Sequence, residues 1–194
     1  MQVSNFADAR QGTEITAIRA DITTLTADVL INAANSTLSG GGGVDGAIHA
    51  AAGPSLMTEC QRIFRDSGPC QTGSAIMTSA GQLDASWIVH TVGPIWSSHE
   101  PAESARLLSS CYRSSLDLAA KVHARTAAFS SISTGVYGFP KELAAPIAVS
   151  AVEGWLQNNL DTHILTTVTL VCFDEENFAL TNDCLLYTSD AADE

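Results

Sequence analysis

The chain has 194 residues, a formal charge of −12 at pH 7, and 45% apolar against 15% charged side chains. This length fits one domain with a core of its own, and this composition excludes a disordered chain. The acidity excludes a general electrostatic grip on nucleic acid or on an anionic membrane, and at first sight it disfavours anionic ligands too.

No apolar run approaches the roughly 20 residues of a membrane span. The N-terminal stretch has no basic head followed by an apolar segment, so no signal peptide is expected. The five cysteines (Cys60, Cys70, Cys111, Cys172 and Cys184) are scattered and contain no C-x-x-C pair. Free thiols in a reducing, cytoplasmic setting are therefore expected, and neither a disulfide framework nor a zinc ribbon.

Along the chain, the first β-branched run predicts a strand at 14–19. Asp21-Ile22 follows it. Asp21 by itself reads best as a helix N-cap, and its carboxylate can also accept from an exocyclic amine such as that of adenine. The second predicted strand, 29–33, opens into Asn32-Ala33-Ala34-Asn35 and then into Gly40-Gly41-Gly42-Gly43-Val44-Asp45-Gly46. Consecutive glycines permit close backbone approach to a ligand, and a short helix predicted at 44–52 points its N-terminus the same way. That combination suits a phosphate. Gly41, Gly43 and Gly46 also satisfy G-x-G-x-x-G, but the match lies too far beyond the strand for a dinucleotide fingerprint.

A second helix is predicted at 55–65, strands at 74–78 and 87–92, and a long amphipathic helix at 102–122, where Leu108, Cys111, Tyr112, Ser115, Leu116 and Ala119 share one face. The strand predicted at 126–130 leads into Ser131-Ile132-Ser133-Thr134-Gly135-Val136-Tyr137-Gly138, a second small-residue loop. Two such loops at one sheet edge can clamp a diphosphate from both sides. A helix is predicted at 141–156 behind Pro140, with Pro146 one turn in. The last strand, 166–173, ends on Phe173-Asp174, where the ring fits either base stacking or core packing. Strands alternating with helices give an α/β fold with a mostly parallel sheet, and ligands of such folds sit at the carboxyl ends of the strands. Residues 184–194 read as a disordered or non-native tail.

The segments 20–23, 32–35, 40–46, His49, 90–94, 133–138 and 171–178 together resemble the macrodomains. Within these, the chain is similar to the MacroD-type branch of bacterial O-acetyl-ADP-ribose deacetylases and mono-ADP-ribosyl hydrolases. The motif N-A-A-N…G-G-G-G-V-D-G-x-I-H carries most of the likeness. The resemblance implies a three-layer α/β/α sandwich around a mixed six-stranded sheet over 14–183, with 1–13 as an N-terminal extension. It implies ADP-ribose at the strand ends: Asp21 and Ile22 at the adenine, with Phe173 facing it. Gly41, Gly42, Gly43 and Val44 would line one side of the diphosphate, and Ser133, Thr134, Gly135, Val136 and Tyr137 the other. Asn35 and Asp45 would flank the distal ribose. Ala20 stands where the family usually has Gly, Ala50 where it commonly has Arg, and Ser130-Ser131 where it usually has Pro-Ala. The last departure predicts a looser second loop.

Ester hydrolysis needs a positioned water and a stabilised oxyanion. Asp45, the sole carboxylate in the glycine loop, is the candidate to orient or deprotonate that water. Asn35 is the candidate to fix the distal sugar. His49, four residues after Asp45, shares its helix face and reads as a support, while His90 reads as core. No histidine or cysteine cluster has zinc spacing, and the expected chemistry uses no metal and no cofactor. The expected partners are ADP-ribose and its O-acyl or protein-linked forms, acted on by a monomer. The competing readings are an ADP-ribose-binding module without turnover and a dinucleotide oxidoreductase.

Overall fold

The structure is a computed structural model that describes residues 3–7 and 12–192. A seven-stranded sheet of order β1-β2-β7-β6-β3-β5-β4 forms its middle layer. The strands are β1 (Val3–Ala7), β2 (Glu14–Arg19), β3 (Ala27–Ala33), β4 (Ala75–Ser79), β5 (Ala85–Thr91), β6 (Thr126–Ser130) and β7 (Thr167–Cys172). The five inner strands run parallel, and β1 and β4 pair antiparallel at the two edges. Strands β2–β7 are the six strands expected from the sequence, each placed within a residue or two.

The helices are α1 (Gly43–Ala52), α2 (Pro54–Ser67), α3 (Pro101–Lys121), α4 (Lys141–Asn158) and α5 (Glu175–Ala192). Two cores follow from strand alternation, since successive side chains leave opposite faces. Val29 and Ile31 of β3 join the core under α3, α4 and α5, whereas Leu30 joins Ile48, Leu56 and Ile88 in the core under α1 and α2. The expected face of α3 is the buried one: Leu108, Cys111, Tyr112, Ser115, Leu116 and Ala119 are all inside. Helix α4 continues through Pro146 from its start after Pro140, so that proline does not end it. The α/β/α class is as the sequence indicates.

Both ends of the chain depart from the boundaries expected for the domain. The segment taken as an N-terminal extension supplies β1, which pairs with β2 from Val3↔Ile18 to Ala7↔Glu14, and the buried Thr13 hydroxyl donates to Leu165 O at 2.7 Å. At the other end α5 runs on to Ala192 instead of stopping at 183. Leu185 is fully buried in the core and Cys184 packs against it, because residues 181, 184 and 185 return to the inner face of the helix. All five cysteines are free, four of them buried.

Chain direction places the ligand crevice. β3 and β6 are parallel neighbours, paired at Val29↔Ala127 and Ile31↔Phe129. The chain leaves β3 for α1 on one face of the sheet and leaves β6 for α4 on the other. Loops that part to opposite faces open a crevice at the strand ends, the switch point where open α/β sheets bind ligands.

Candidate active site

Two adjoining cavities occupy that crevice. One, of about 260 Å³, is walled by Asn35, Gly41, Gly42, Gly43, Val44 and Asp45 from the loop after β3, and by Ser133, Gly135, Val136 and Tyr137 from the loop after β6. The other, of about 410 Å³, takes in Asp21, Ile22, Thr134 and Phe173, and shares Gly43, Val44, Ser131 and Gly135 with the first. Every catalytic or ligand-binding candidate named from the sequence therefore lines one continuous cleft. His49 does not line it. Among the described residues, no lysine or arginine lines either cavity.

The first loop is held by its own groups. Asn35 Nδ2 donates to Gly40 O at 2.7 Å, and Asn35 Oδ1 accepts from Ser39 N at 3.1 Å and from the Thr37 hydroxyl at 3.0 Å. Leu38, in a left-handed conformation (φ 56°), is buried and pins the loop to the core. α1 then begins at Gly43 with Gly42 as its N-cap and no side chain capping it. Its first amides are left without intrahelical partners beside the cavity, which is an anion-binding arrangement. Gly46 has no freedom to change, because a Cβ there would overlap the Gly41 carbonyl oxygen.

The second loop is fixed from the β5–α3 connection and from within. Trp96 N donates to Tyr137 O at 2.9 Å, Gly138 N to Gly135 O at 3.0 Å, and Phe139 N to Ser133 O at 3.0 Å. The Trp96 and Phe139 rings pack at 4.8 Å. The loosening expected from Ser130-Ser131 is not seen. The Ser130 hydroxyl is buried and donates to Ile31 O at 2.9 Å, and Ser131 Oγ reaches Val171 O at 3.4 Å, so both serines tie the loop to neighbouring strands.

At the outer end, Asp21 is indeed an N-cap. Its Oδ1 accepts from Thr23 N at 2.9 Å and from the Thr23 hydroxyl at 2.7 Å over the 3₁₀ turn Ile22–Thr24. Neither bond uses Oδ2, and the residue is exposed on the cavity wall. Phe173 is 78% exposed, which removes the core-packing reading of its ring, and Val136 on the rim is 92% exposed.

Asp45 is the buried carboxylate at the inner end. Burial pushes its carboxyl above the usual carboxylate value, against the opposing pull of an Asn32 hydrogen bond and of His49. Asn32 Nδ2 donates to Asp45 Oδ1 at 2.7 Å. Gly41 sits over the other oxygen: a Cβ there would be 3.6 Å from Asp45 Oδ2 and 3.8 Å from Asn35 Nδ2. Tyr137 closes the opposite wall, its phenol pushed up by burial and by the Asp45 charge. His49 Nε2 lies 3.5 Å from Asp45 Oδ1, and neither ring nitrogen of His49 makes a hydrogen bond. Among the described residues His49, Cys60 and His90 bring ligand-type atoms within 4.8 Å of one another. Both nitrogens of His90 are already bonded, Nδ1 to Asn32 at 3.1 Å and Nε2 to Thr78 at 2.9 Å, which leaves this trio short of a metal-ligand set. Asn32 and His90 carried no role in the sequence reading. They lie 58 residues apart and meet only because β3 and β5 pair in register at Asn32↔His90.

Fold and cleft together define a three-layer α/β protein with an open cleft at the strand ends, walled on one side by an uncapped helix start. The chain belongs to the Macro domain family, which its residues 31–148 match. It is 54% identical over 169 residues to a macro domain-containing protein of Listeria monocytogenes, covering 87% of this chain and 95% of that one. It is 51% identical over 163 residues to a Klebsiella pneumoniae protein named O-acetyl-ADP-ribose deacetylase, covering 84% and 91%. The solved structure of the Oceanobacillus iheyensis macrodomain with ADP superposes at a TM-score of 0.89 and 38% identity, over 98% of this chain and 100% of that one.

Proposed function

We propose that this chain is a hydrolase that binds ADP-ribose along the cleft and removes the acetyl group from O-acetyl-ADP-ribose, with mono-ADP-ribose on acidic side chains as its second class of ester substrate. The observation that carries the reading is the pairing of a buried carboxylate, Asp45, with the uncapped N-terminus of α1 in the wall of one cavity. The diphosphate lies against the amides of residues 42–44 on one side and the 133–137 loop on the other. Adenine occupies the outer cavity between Asp21 and Phe173, and the distal ribose meets Asn35 and Asp45.

Asp45 orients a water toward the acyl carbon. Burial raises the basicity of its carboxylate, so the group that places the water also accepts its proton more readily than an exposed aspartate does. The water oxygen bonds to the carbonyl carbon, and loop amides stabilise the tetrahedral oxyanion. The carbon–oxygen bond to the ribose then breaks, the proton returns to the ribose oxygen, and ADP-ribose leaves with acetic acid, which gives its proton to solvent to become acetate. Every step uses groups of this chain and water, without a metal or a cofactor. The enzyme acts as a cytoplasmic monomer on a small nucleotide and has no general affinity for nucleic acid.

Calorimetric titration with ADP-ribose, followed by chromatographic assay of O-acetyl-ADP-ribose with and without a chelator, tests this reading. Binding and chelator-insensitive release of acetate are expected. Binding without turnover of either ester class would leave a recognition module, and absence of binding would remove the assignment altogether.

A further inference from the structure

We infer that Asn32, His90 and Thr78 form a hydrogen-bonded row that positions Asp45 for hydrolysis without touching substrate. The inference rests on the proposed role of Asp45. The three residues stand on adjacent strands β3, β5 and β4, each almost wholly out of solvent, on the face of the sheet covered by α1 and α2.

The direction of every bond in the row follows from donor and acceptor counts. The Thr78 hydroxyl has one hydrogen and sits 3.0 Å from Ser79 O, which can only accept. Thr78 therefore donates to Ser79 O and accepts from His90 Nε2–H at 2.9 Å. His90 is neutral, since burial pushes its imidazole down to about 3, so a proton on Nε2 leaves Nδ1 bare. Nδ1 must then accept, and its partner is Asn32 Nδ2 at 3.1 Å. The second hydrogen of that amide goes to Asp45 Oδ1 at 2.7 Å. Flipping the Asn32 amide would set its oxygen against both the carboxylate and the bare imidazole nitrogen. The row thus fixes which way Asn32 faces, and Asn32 fixes one oxygen of Asp45 while the other lies by Gly41.

A purely structural purpose does not explain the row. On the same face the neighbouring positions Leu30 and Ile88 pair in register and are wholly apolar, so the sheet packs there without polar groups. Asn32 Oδ1 is buried with no partner, a cost that an apolar side chain would avoid. The row ends on Asp45, the one buried carboxylate among the described residues of the cleft.

The test compares kcat and KM for O-acetyl-ADP-ribose, and calorimetric ADP-ribose affinity, across the wild type and Asp45→Ala, Asn32→Ala, Thr78→Val and Thr78→Ser. Asn32→Ala should lower kcat about 10- to 100-fold, the range set by losing a hydrogen bond to a charged group. KM and affinity should stay near wild type. The acid limb of its kcat profile should move to higher pH, because the charged carboxylate loses a donor while His49 on α1, Cys60 on α2 and Tyr137 on the second loop still face it. Thr78→Val keeps the shape of the side chain and should lower kcat about threefold, and Thr78→Ser should restore it. Wild-type kcat in Asn32→Ala and Thr78→Val, or equal loss of kcat and affinity, would overturn the row's role even if Asp45→Ala is inactive. If Asn32→Ala does not fold, the Thr78→Val and Thr78→Ser pair decides. Full turnover by Asp45→Ala would instead overturn the assignment of Asp45 itself.

Discussion

At the Asp45 end the cleft wall is built on buried groups that the strands hold in register, whereas at the Asp21–Phe173 end it is built on exposed side chains at strand termini. Asp45 accepts a hydrogen bond from Asn32 on β3, with Gly41 above it and Gly46 locked against the Gly41 carbonyl. Phe173 is free of the core, and Asp21 is held only by its own 3₁₀ turn. Two ends built this way should fail differently. Damage to the glycine-loop frame of the inner end should reach stability as well as function, loss of the Asp45 charge should reach turnover without costing stability, and damage at the outer end should reach affinity alone.

The largest effect outside the reacting groups is expected from Gly46→Ala. Its Cβ has no space beside the Gly41 carbonyl, so the glycine loop must shift. A loss of about 1–3 kcal/mol in stability, measured by urea unfolding, should accompany a loss of ADP-ribose binding. Phe173→Ala should weaken ADP-ribose by about 1–3 kcal/mol, the usual worth of an aromatic stacked on a base, with unchanged unfolding and unchanged kcat. A fall in stability in that variant would erase the contrast between the two ends.

Asp45→Asn should separate stability from activity. Burial raises the folded-state pKa of Asp45, so its contribution to stability is complete only below the unfolded-state value and is lost as pH rises through the folded-state value. At neutral pH the ionised group is a net cost. The Asn variant should therefore melt above the wild type at pH 7, and the difference should close as the pH falls through the titration of the carboxyl. Thermal melts at several pH values check this. The smallest effect is expected from salt. With no lysine or arginine among the described residues of the cleft wall, ADP-ribose affinity should change little, or rise, as salt screens the net charge of −12. A steep loss would reveal a basic contact at the diphosphate.

Much of this is legible in the sequence because its signals are local. The β-branched runs place β2–β7, and the glycine run after Asn32-Ala33-Ala34-Asn35 places one wall of the cleft next to a helix start. β1 is not legible, since its five residues carry no run of β-branched side chains and pair only once β2 exists. The end of α5 is missed because the polar run at 188–194 suggests a tail from 184 onward, yet the side chains of Cys184 and Leu185 meet the core. The Asn32–His90–Thr78 row is invisible along the chain because it runs across strands, through the register of β3, β5 and β4. His90 read as core is buried as expected, but it is a bonded polar residue within that core.

The most direct measurement is a paired one on Asp45→Ala: ADP-ribose affinity by calorimetry and O-acetyl-ADP-ribose turnover under saturating substrate. Retained affinity with turnover lowered by about 10²-fold or more is expected of a group that acts on the reacting water. Turnover at the wild-type rate would contradict the placement of the chemistry at the inner end of the cleft.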